Sequence, residues 1–471
     1  MKLINFGSCN IDYVYAVDHI VNRGETESAC GMQVFAGGKG LNQSIAAARA
    51  GAEIYHAGCI GEGGEFLEQM LKESGVDTSY LKRVDEKNGH AIIQVSRAGE
   101  NSIVIYPGSN AVLTPKMIDE VLCDFGAGDV MILQNEVSNV GYIIERAYGK
   151  GMKIVLNPSP ISEELLRLDL KKITYLVLNE VEARAITGAE SEREALDFLA
   201  KRYPALRVVL TVGARGCIYR DEAGEIFQPS FKVEVKDTTA AGDTFTGYFV
   251  AEIIKGADAS RALRVAACAA GIAVSRSGAA PSIPTADEVA KNEIRANMKE
   301  RRATLTADER EEKSRAAALA LLGTDEYKRA RSIMLYRPIG SEMDTSYIAK
   351  AAHADGKCVL YPVTDEESRK ITPVKAGADA EFVRGGFKIP EPVGEVYDGK
   401  IDLIVVPGLA FGRDGMRLGY GKGCYDEFLN RAAATRVGLC YELQLTDTLP
   451  CEAHDEKMDM VVTENEIIKN A

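Results

Sequence analysis

The chain has no C-x-x-C pair. Its ten cysteines (Cys9, Cys30, Cys59, Cys123, Cys217, Cys268, Cys358, Cys424, Cys440 and Cys451) are scattered, which signals neither a zinc site nor a disulfide framework. Reduced thiols are then the default, and a cytoplasmic location is expected. There is no excess of positive charge either. Lys and Arg number 56 against 69 Asp and Glu, a formal charge of −13. That argues against nonspecific nucleic-acid binding through a basic surface. No apolar run is long enough to cross a bilayer; the longest small-apolar stretch, 265–274, falls well short, so no membrane partner is expected. The opening M-K-L-I-N-F-G-S lacks a basic segment followed by a long apolar run, so no signal peptide is expected. No low-complexity segment and no fixed-period repeat occurs. What remains is a globular composition, 46% hydrophobic and 27% charged, over 471 residues, enough for two or three domains.

Strand and helix patterns alternate through the first half. Leu3–Phe6, Val130–Gln134, Lys153–Asn157, 175–178 and 207–212 read as buried strands separated by helical periodicities. This predicts a mostly parallel α/β sheet with helices on both faces. Residues 91–96 and 102–106 read as a β hairpin, a flap able to cover a ligand.

The most informative stretch is D-T-T-A-A-G-D at 237–243. Phe245, Phe249 and Ile253 follow at fourfold spacing with Tyr248 beside them, one face of an amphipathic helix. Ala240, Ala241 and Gly242 therefore fall where that helix begins, with N–H groups that lack intrahelical partners. Together with the helix dipole they make an anion hole, and Asp243 stands at its edge. A carboxylate there can take a proton from an alcohol while the N–H groups hold charge on a transferring phosphoryl group.

Other polar groups sit just past strand ends, where open α/β sheets hold ligands. Asn10 and Asp12 follow the first strand; an Asx turn is the plainer alternative. A-G-G-K-G-L-N-Q at 36–43 supplies Gly38, Lys39 and Asn42 ahead of an Ala-rich helix at 44–50. It is not a Walker A loop. Glu136 and Asn157 follow two later strands. Asn179 and Glu182, three apart, suit phosphate contact through water or Mg²⁺, or else a helix cap. Thr211, Gly213 and Gly216 lie at a further backbone-accessible turn. Around 273–282 a helix end is broken by Gly278 and Pro281, and the carbonyls freed there could bind a cation together with Asp237.

Five motifs in order carry a resemblance: G-S-x-N-x-D at 7–12, G-G-K-G-x-N at 37–42, N-x-x-E at 179–182, D-T-x-A-A-G-D at 237–243 and G-A-x-P-S at 278–282. On them, residues 1–290 resemble the ribokinase-like carbohydrate kinase family. The resemblance implies a doubly wound α/β sheet with a β-flap lid. It implies ribose as substrate, held by Asn10, Asp12, Gly38, Lys39, Asn42 and Glu136, with Asp243 as base and Ala240, Ala241 and Gly242 as anion hole. Asn179, Glu182, Thr211, Gly213, Gly216 and Gly242 would lie along ATP and its Mg²⁺. Asp237, Thr239, Ala273, Arg276, Gly278 and Ser282 would surround K⁺. Pairing of two copies through the flap is also implied.

No Gly/Ser linker separates the halves; helix resumes almost at once after Pro284. Lys291 and Arg295 share a helix face, and Lys299, Arg301 and Arg302 extend a basic run that could equally be solvated. Thr306 and Glu309 read as a capping box. Strands at 332–336, 358–361, Leu403–Val406, 437–441 and Met460–Val462 predict a second, smaller α/β domain. In R-L-G-Y-G-K-G-C-Y-D at 417–426, Gly419, Gly421 and Gly423 free backbone N–H groups for an anion nest, and Arg417 and Lys422 add charge.

That stretch, with K-x-x-x-R at 291–295, E-x-x-T at 342–345, F-x-I-x-E-P at 387–392, P-G-L-A-F at 407–411, His454-Asp455 and Thr463-Glu464, makes residues 291–471 similar to the 5-formyltetrahydrofolate cyclo-ligase family. The similarity implies ATP held by Lys291, Arg295, Arg417, Gly419, Gly421, Lys422 and Gly423, and 5-formyltetrahydrofolate facing Glu342 and Thr345. His454 is assigned no step. Gly412 stands where that family has Asp, and Asp414 follows two residues on. The expectation is a bifunctional kinase and cyclo-ligase. Two alternatives stay open: another pentose or a nucleoside as acceptor, and a non-catalytic nucleotide- or folate-binding second half.

Overall fold

A computed structural model describes residues 1–452 and 455–470. The chain divides into two compact units, Met1–Val289 and Ala290–Ala471. His454 lies outside the described residues.

The first unit is built on a nine-stranded sheet in the order Gly224–Pro229, Gly216–Asp221, Arg207–Thr211, Tyr175–Asn179, Lys153–Asn157, Val130–Gln134, Leu3–Phe6, Ile54–Glu62, Asp77–Lys87. Every pairing from Arg207–Thr211 to Asp77–Lys87 is parallel; the two strands beyond Arg207–Thr211 are antiparallel. Near-continuous apolar runs such as V-M-I-L-Q suit strands covered on both faces. Alternate residues feed separate cores: Leu3, Val130 and Ile132 on one side, Ile4, Met131 and Leu133 on the other. Ile54–Glu62 and Asp77–Lys87 are not among the strands expected from the sequence. The former carries two glycines, and the latter alternates polar residues along a part-exposed sheet edge.

Three local expectations need correction. The helix placed at 44–50 spans Lys39–Arg49, with Gly38 as its N-cap at φ 94°. Its early glycine is there for packing: a Cβ on Gly40 would lie 2.3 Å from Gly7 Cα. Asn10 and Asp12 are not in a turn. They open the strand Asn10–Val17, whose I-D-Y-V-Y-A-V carries period-two alternation. This strand, with Gly31–Gly37, joins the expected hairpin (His90–Ser96 and Asn101–Tyr106) in a four-stranded flap sheet. The helix bearing Asp243, Ala241–Ile254, has no solvent face over Asp243–Ala251; all of that stretch is buried. It packs closely on Lys39–Arg49 because Gly247 permits it: a Cβ there would meet Ala46 Cβ at 2.5 Å.

The second unit has a seven-stranded sheet in the order Ile371–Lys375, Cys358–Thr364, Ser332–Met334, Leu403–Val406, Thr435–Leu439, Met460–Val462, Ile467–Lys469. Its inner pairings are parallel and both outer ones antiparallel. Leu403, Val405 and Val437 face one core and Ile404, Val406 and Val461 the other. Thr306 and Glu309 form a capping box at the start of Ala307–Leu322. All ten cysteines are free. Among the described residues no helix is long and apolar enough to cross a membrane, and no group of three or more His, Cys, Asp or Glu could hold a metal ion.

Candidate active sites

In the first unit the parallel strands end on one rim, and the polar candidates gather there. Asp243 is buried in the first turn of its helix. Its Oδ2 accepts Asn42 Nδ2 at 3.1 Å and its Oδ1 accepts Gln43 Nε2 at 2.9 Å. Glu136, past the strand Val130–Gln134, accepts the Lys39 backbone N–H at 2.9 Å and the Ser8 hydroxyl. Asn110 Nδ2 donates to Asn10 Oδ1 at 2.7 Å, which turns the Asn10 amide nitrogen outward. Gly37 leaves room for Asp12: a Cβ there would fall 2.0 Å from its carboxylate.

Electrostatics confirm that these groups share one space. Asp243, then Glu136 and Glu182, raise Lys39 against the opposing effect of burial. Burial, then Glu136 and Asp243, pushes Asp12 up to about 7. Burial also raises Glu136. The structure therefore brings Asn10, Asp12, Gly38, Lys39, Asn42, Glu136 and Asp243 together. An aspartate raised in the folded state contributes full stability below its unfolded value and loses it as pH rises through the folded value. Asp12→Asn should therefore raise the Tm of the ligand-free enzyme by about 2–6 °C at about pH 8, and by less at about pH 5. Calorimetry giving the same shift at both would refute this.

The anion hole is narrower than expected. Ala240 takes the left-handed conformation at φ 59°, and Ala241 N–H bends back to the Thr238 carbonyl at 3.3 Å. The N–H groups of Ala240 and Gly242 have no acceptor among the described residues. Asn179 and Thr211 are register partners on adjacent strands, and Gly213 and Gly216 follow Thr211. Asn179 and Glu182 do not share a helix face. They form a capping box, Asn179 Oδ1 accepting Glu182 N–H at 2.9 Å and Glu182 Oε2 accepting Asn179 N–H at 3.0 Å. Glu182 Oε1 is left over. A nucleotide and a hydrated cation fit this donor set: free N–H groups, glycine turns and one spare carboxylate oxygen.

At the cation candidates, Asp237 Oδ1 accepts from Thr239 N–H and its hydroxyl, and Oδ2 from Gly278 N–H at 2.9 Å. Burial opposes ionisation of Asp237, and these bonds outweigh it, holding the carboxyl below its usual range. Ala273, Arg276 and Gly278 can serve only through carbonyls, while Ser282 also keeps hydroxyl lone pairs. The Ser282 hydroxyl is donated to Ala279 O, and the Arg276 guanidinium pairs with Glu288. Ala273 O already accepts Arg276 N–H at 3.0 Å. An ionised carboxylate beside a carbonyl-rich helix end fits a monovalent cation.

In the second unit a cavity of about 320 Å³ lies over the glycine stretch, lined among others by Lys291, Arg295, Glu342, Arg417, Tyr420 and Lys422. Arg417 is buried. Its Nη2 donates to Asp426 Oδ1 at 2.6 Å and its Nη1 to Pro407 O at 3.1 Å, while its Nε is buried without a partner. Arg295 Nε donates to Gly419 O at 3.0 Å, packed beside Gly421 at φ 89°. Lys291 is buried between Asp455 at 2.8 Å and Glu452 at 3.3 Å. Arg302 is buried too and donates to Tyr420 OH at 2.9 Å, whereas Lys299 and Arg301 of the same basic run are exposed. Burial raises Glu342. Gly423 caps Cys424–Arg431 at φ 73°.

One expectation fails here. Thr345 does not face the cavity: its hydroxyl is spent on Tyr336 O at 2.7 Å and the residue is 1% exposed. Asp414, two residues on, reaches the place beside Gly412. A Cβ on Gly412 would lie 2.1 Å from Asp414 Oδ1, so the carboxylate of 414 fills the place a side chain at 412 would need. Neither lines the cavity.

Some residues at these sites carry no distinct signal in the sequence. Gln43 sits inside a motif that was read, and Gln134 ends a strand in a buried polar side chain. Ser8, Tyr420 and Asp426 lie within quoted motifs without a role of their own there, and Asn110 lies in none.

A doubly wound α/β unit with a β flap and an aspartate at a helix start beside free N–H groups is a phosphotransferase architecture. Residues 1–286 match the pfkB family of carbohydrate kinases and 287–464 the 5-formyltetrahydrofolate cyclo-ligase family. The chain belongs to the pfkB carbohydrate kinase family and carries a cyclo-ligase domain after the kinase domain. It is 35% identical over 294 residues to the ribokinase of Haemophilus influenzae, covering 60% of this chain and 95% of that protein. Among solved structures, the ribokinase of Cryptococcus neoformans with ADP is 33% identical at TM-score 0.55, covering 61% of this chain and 98% of that one. The Arabidopsis thaliana ribokinase with ribose and ATP is 30% identical at TM-score 0.55, covering 62% and 98%.

Proposed function

We propose that the first unit transfers the γ-phosphoryl group of ATP to the primary 5-hydroxyl of D-ribose. The second unit uses ATP to close 5-formyltetrahydrofolate to 5,10-methenyltetrahydrofolate. The observation that carries the kinase reading is the convergence of Asp243, Asp12, Lys39, Asn42 and Glu136 on one rim. Ribose as acceptor is supported by a relative named ribokinase, matched over 95% of its length.

Asp243 takes the proton of the attacking hydroxyl, the oxygen bonds to phosphorus, and ADP leaves. Ala240 and Gly242 hold the moving negative charge with backbone N–H groups. Asp12 and Glu136 accept sugar hydroxyl protons, and Asn10 donates through its outward nitrogen. Mg²⁺ would offset phosphate charge, with Glu182 Oε1 available to its water shell. K⁺ would lie by Asp237, Thr239 and the carbonyls of Ala273, Arg276, Gly278 and Ser282. In the second unit Arg417, Lys422, Lys291 and Arg295, with the N–H groups of Gly419, Gly421 and Gly423, would hold the nucleotide, and Glu342 would face the folate. The flap's Val34, Ile103 and Ile105, each at least half exposed, support pairing of two copies through that sheet, which the particle mass in solution decides.

A phosphorylation screen of pentoses and nucleosides, with and without K⁺, tests the acceptor. Ribose should give the highest kcat/KM, and K⁺ should raise turnover. A nucleoside outperforming ribose would overturn the assignment.

A further inference from the structure

Asp243 stands at one end of a row of buried polar side chains that the phosphoryl transfer itself does not use. Its Oδ1 accepts the Gln43 amide, and Gln43 gives its second N–H to Asn157 Oδ1 at 3.2 Å. The Gln43 carbonyl accepts Gln134 Nε2 at 2.7 Å. Gln134 turns its other N–H to Asn5 Oδ1 at 3.0 Å. Asn5 donates in turn to Gly40 O at 2.8 Å and to Ser44 Oγ at 2.9 Å. Ser44 Oγ lies 2.8 Å from His56 Nδ1, and His56 Nε2 lies 3.4 Å from Cys9 Sγ. Asn5, Gln43, Ser44, His56 and Gln134 are each 0% exposed.

Burying so many polar groups is costly unless they are partnered, and here the partners fix a direction. Burial holds His56 down to about 4, so the ring is neutral. Ser44 Oγ accepts from Asn5 and shares a hydrogen bond with His56 Nδ1, and the ring's other nitrogen faces Cys9. Each amide in the row then has one allowed orientation. Gln43 cannot turn over, because its carbonyl would meet the Asp243 carboxylate and its nitrogen would meet Gln134 Nε2. Gln134 and Asn42 each leave an oxygen buried without a partner, but Gln134 is fixed by two acceptors on its Nε2, Gln43 Oε1 and Asn5 Oδ1, whereas Asn42 is held by its one bond to Asp243 Oδ2. One oxygen of the base is clamped, and the other is held by a side chain able to turn.

We propose that Gln43, locked in place by Gln134 and Asn5, is a positioning residue for the base: it pins Asp243 Oδ1 and so aims Oδ2 at the acceptor hydroxyl. The inference rests on Asp243 being the base. The row moves no proton; it fixes a rotamer. Misplacing a reacting group by about 1 Å costs on the order of 100-fold in rate.

The test measures kcat, both KM values and thermal melting for Gln43→Met and Gln134→Met, with Asp243→Asn alongside. Each Met variant should lose about 10–100-fold in kcat, with sugar and ATP KM values within about threefold of the parent. Wild-type kcat in both folded Met variants, beside an inactive Asp243→Asn, overturns the positioning role alone. An active Asp243→Asn removes the base assignment and the positioning role with it. Loss of kcat matched by an equal rise in KM, or failure of both Met variants to fold, marks the row as scaffold and also overturns the role.

Discussion

Asp243→Asn should lower sugar phosphorylation by about 10²–10⁴-fold while leaving ATP affinity within about threefold. The size of the loss follows from removing the proposed base, since phosphoryl transfer asks little else of the protein beyond positioning and charge stabilisation. The local environment makes this variant informative. Asn42 and Gln43 both donate to the Asp243 carboxylate, so an amide at 243 places a donor against one donor. Gln43 is fixed by Gln134, but Asn42 has an unpartnered Oδ1 and can turn to accept. The variant should therefore fold, with a Tm within a few degrees of the parent, and its activity loss reports chemistry. Lys39 loses its main supporting charge, so its raised value should fall. Near-normal turnover in a folded Asp243→Asn protein would end the base assignment.

In the second unit, Arg417→Met should lower methenyltetrahydrofolate formation by about 10²–10³-fold, followed by absorbance of the product, with kinase turnover as internal control. Arg417 is buried and lines the cavity, and the protein consumes two of its five N–H groups, one on each Nη. A ligand phosphate in the cavity would take the remaining Nη hydrogens. The substitution also strands Asp426, which is partly exposed, so the stability cost should be about 1–3 kcal/mol rather than the larger penalty of a fully buried pair. Arg417→Met/Asp426→Asn should recover most of the Tm and none of the turnover. Arg417→Lys should stay at least about tenfold impaired, because an ammonium cannot reproduce the planar fork that spans Pro407 O and Asp426. If the double variant recovered turnover, the guanidinium would be structural only.

The parallel core of each unit was legible in the sequence. Val130–Gln134, Lys153–Asn157, Leu403–Val406 and Met460–Val462 are short apolar runs bounded by turn residues, and such runs become buried strands almost regardless of context. The flap was only half visible. Its hairpin shows a local turn, whereas Asn10–Val17 and Gly31–Gly37 pair across a gap that no local signal marks. Asn179 and Glu182 had a legible spacing, yet only geometry shows the capping box taking up one oxygen of each.

The sequence alone determined the chemistry on offer: an aspartate and small residues at a helix start, glycines ahead of another helix, and a third glycine stretch flanked by Arg and Lys. These are local properties, set by backbone freedom and side-chain type within a few residues. Tertiary structure decided which atoms remain available. Thr345 is spent on a carbonyl, Ala241 N–H bends back, Asp414 takes the space beside Gly412, and Gln43 faces Asp243 across about 200 positions of chain. Hydrogen-bonding capacity is finite and is consumed by whichever neighbour the fold brings within about 3 Å, and the chain order of the residues does not reveal that neighbour.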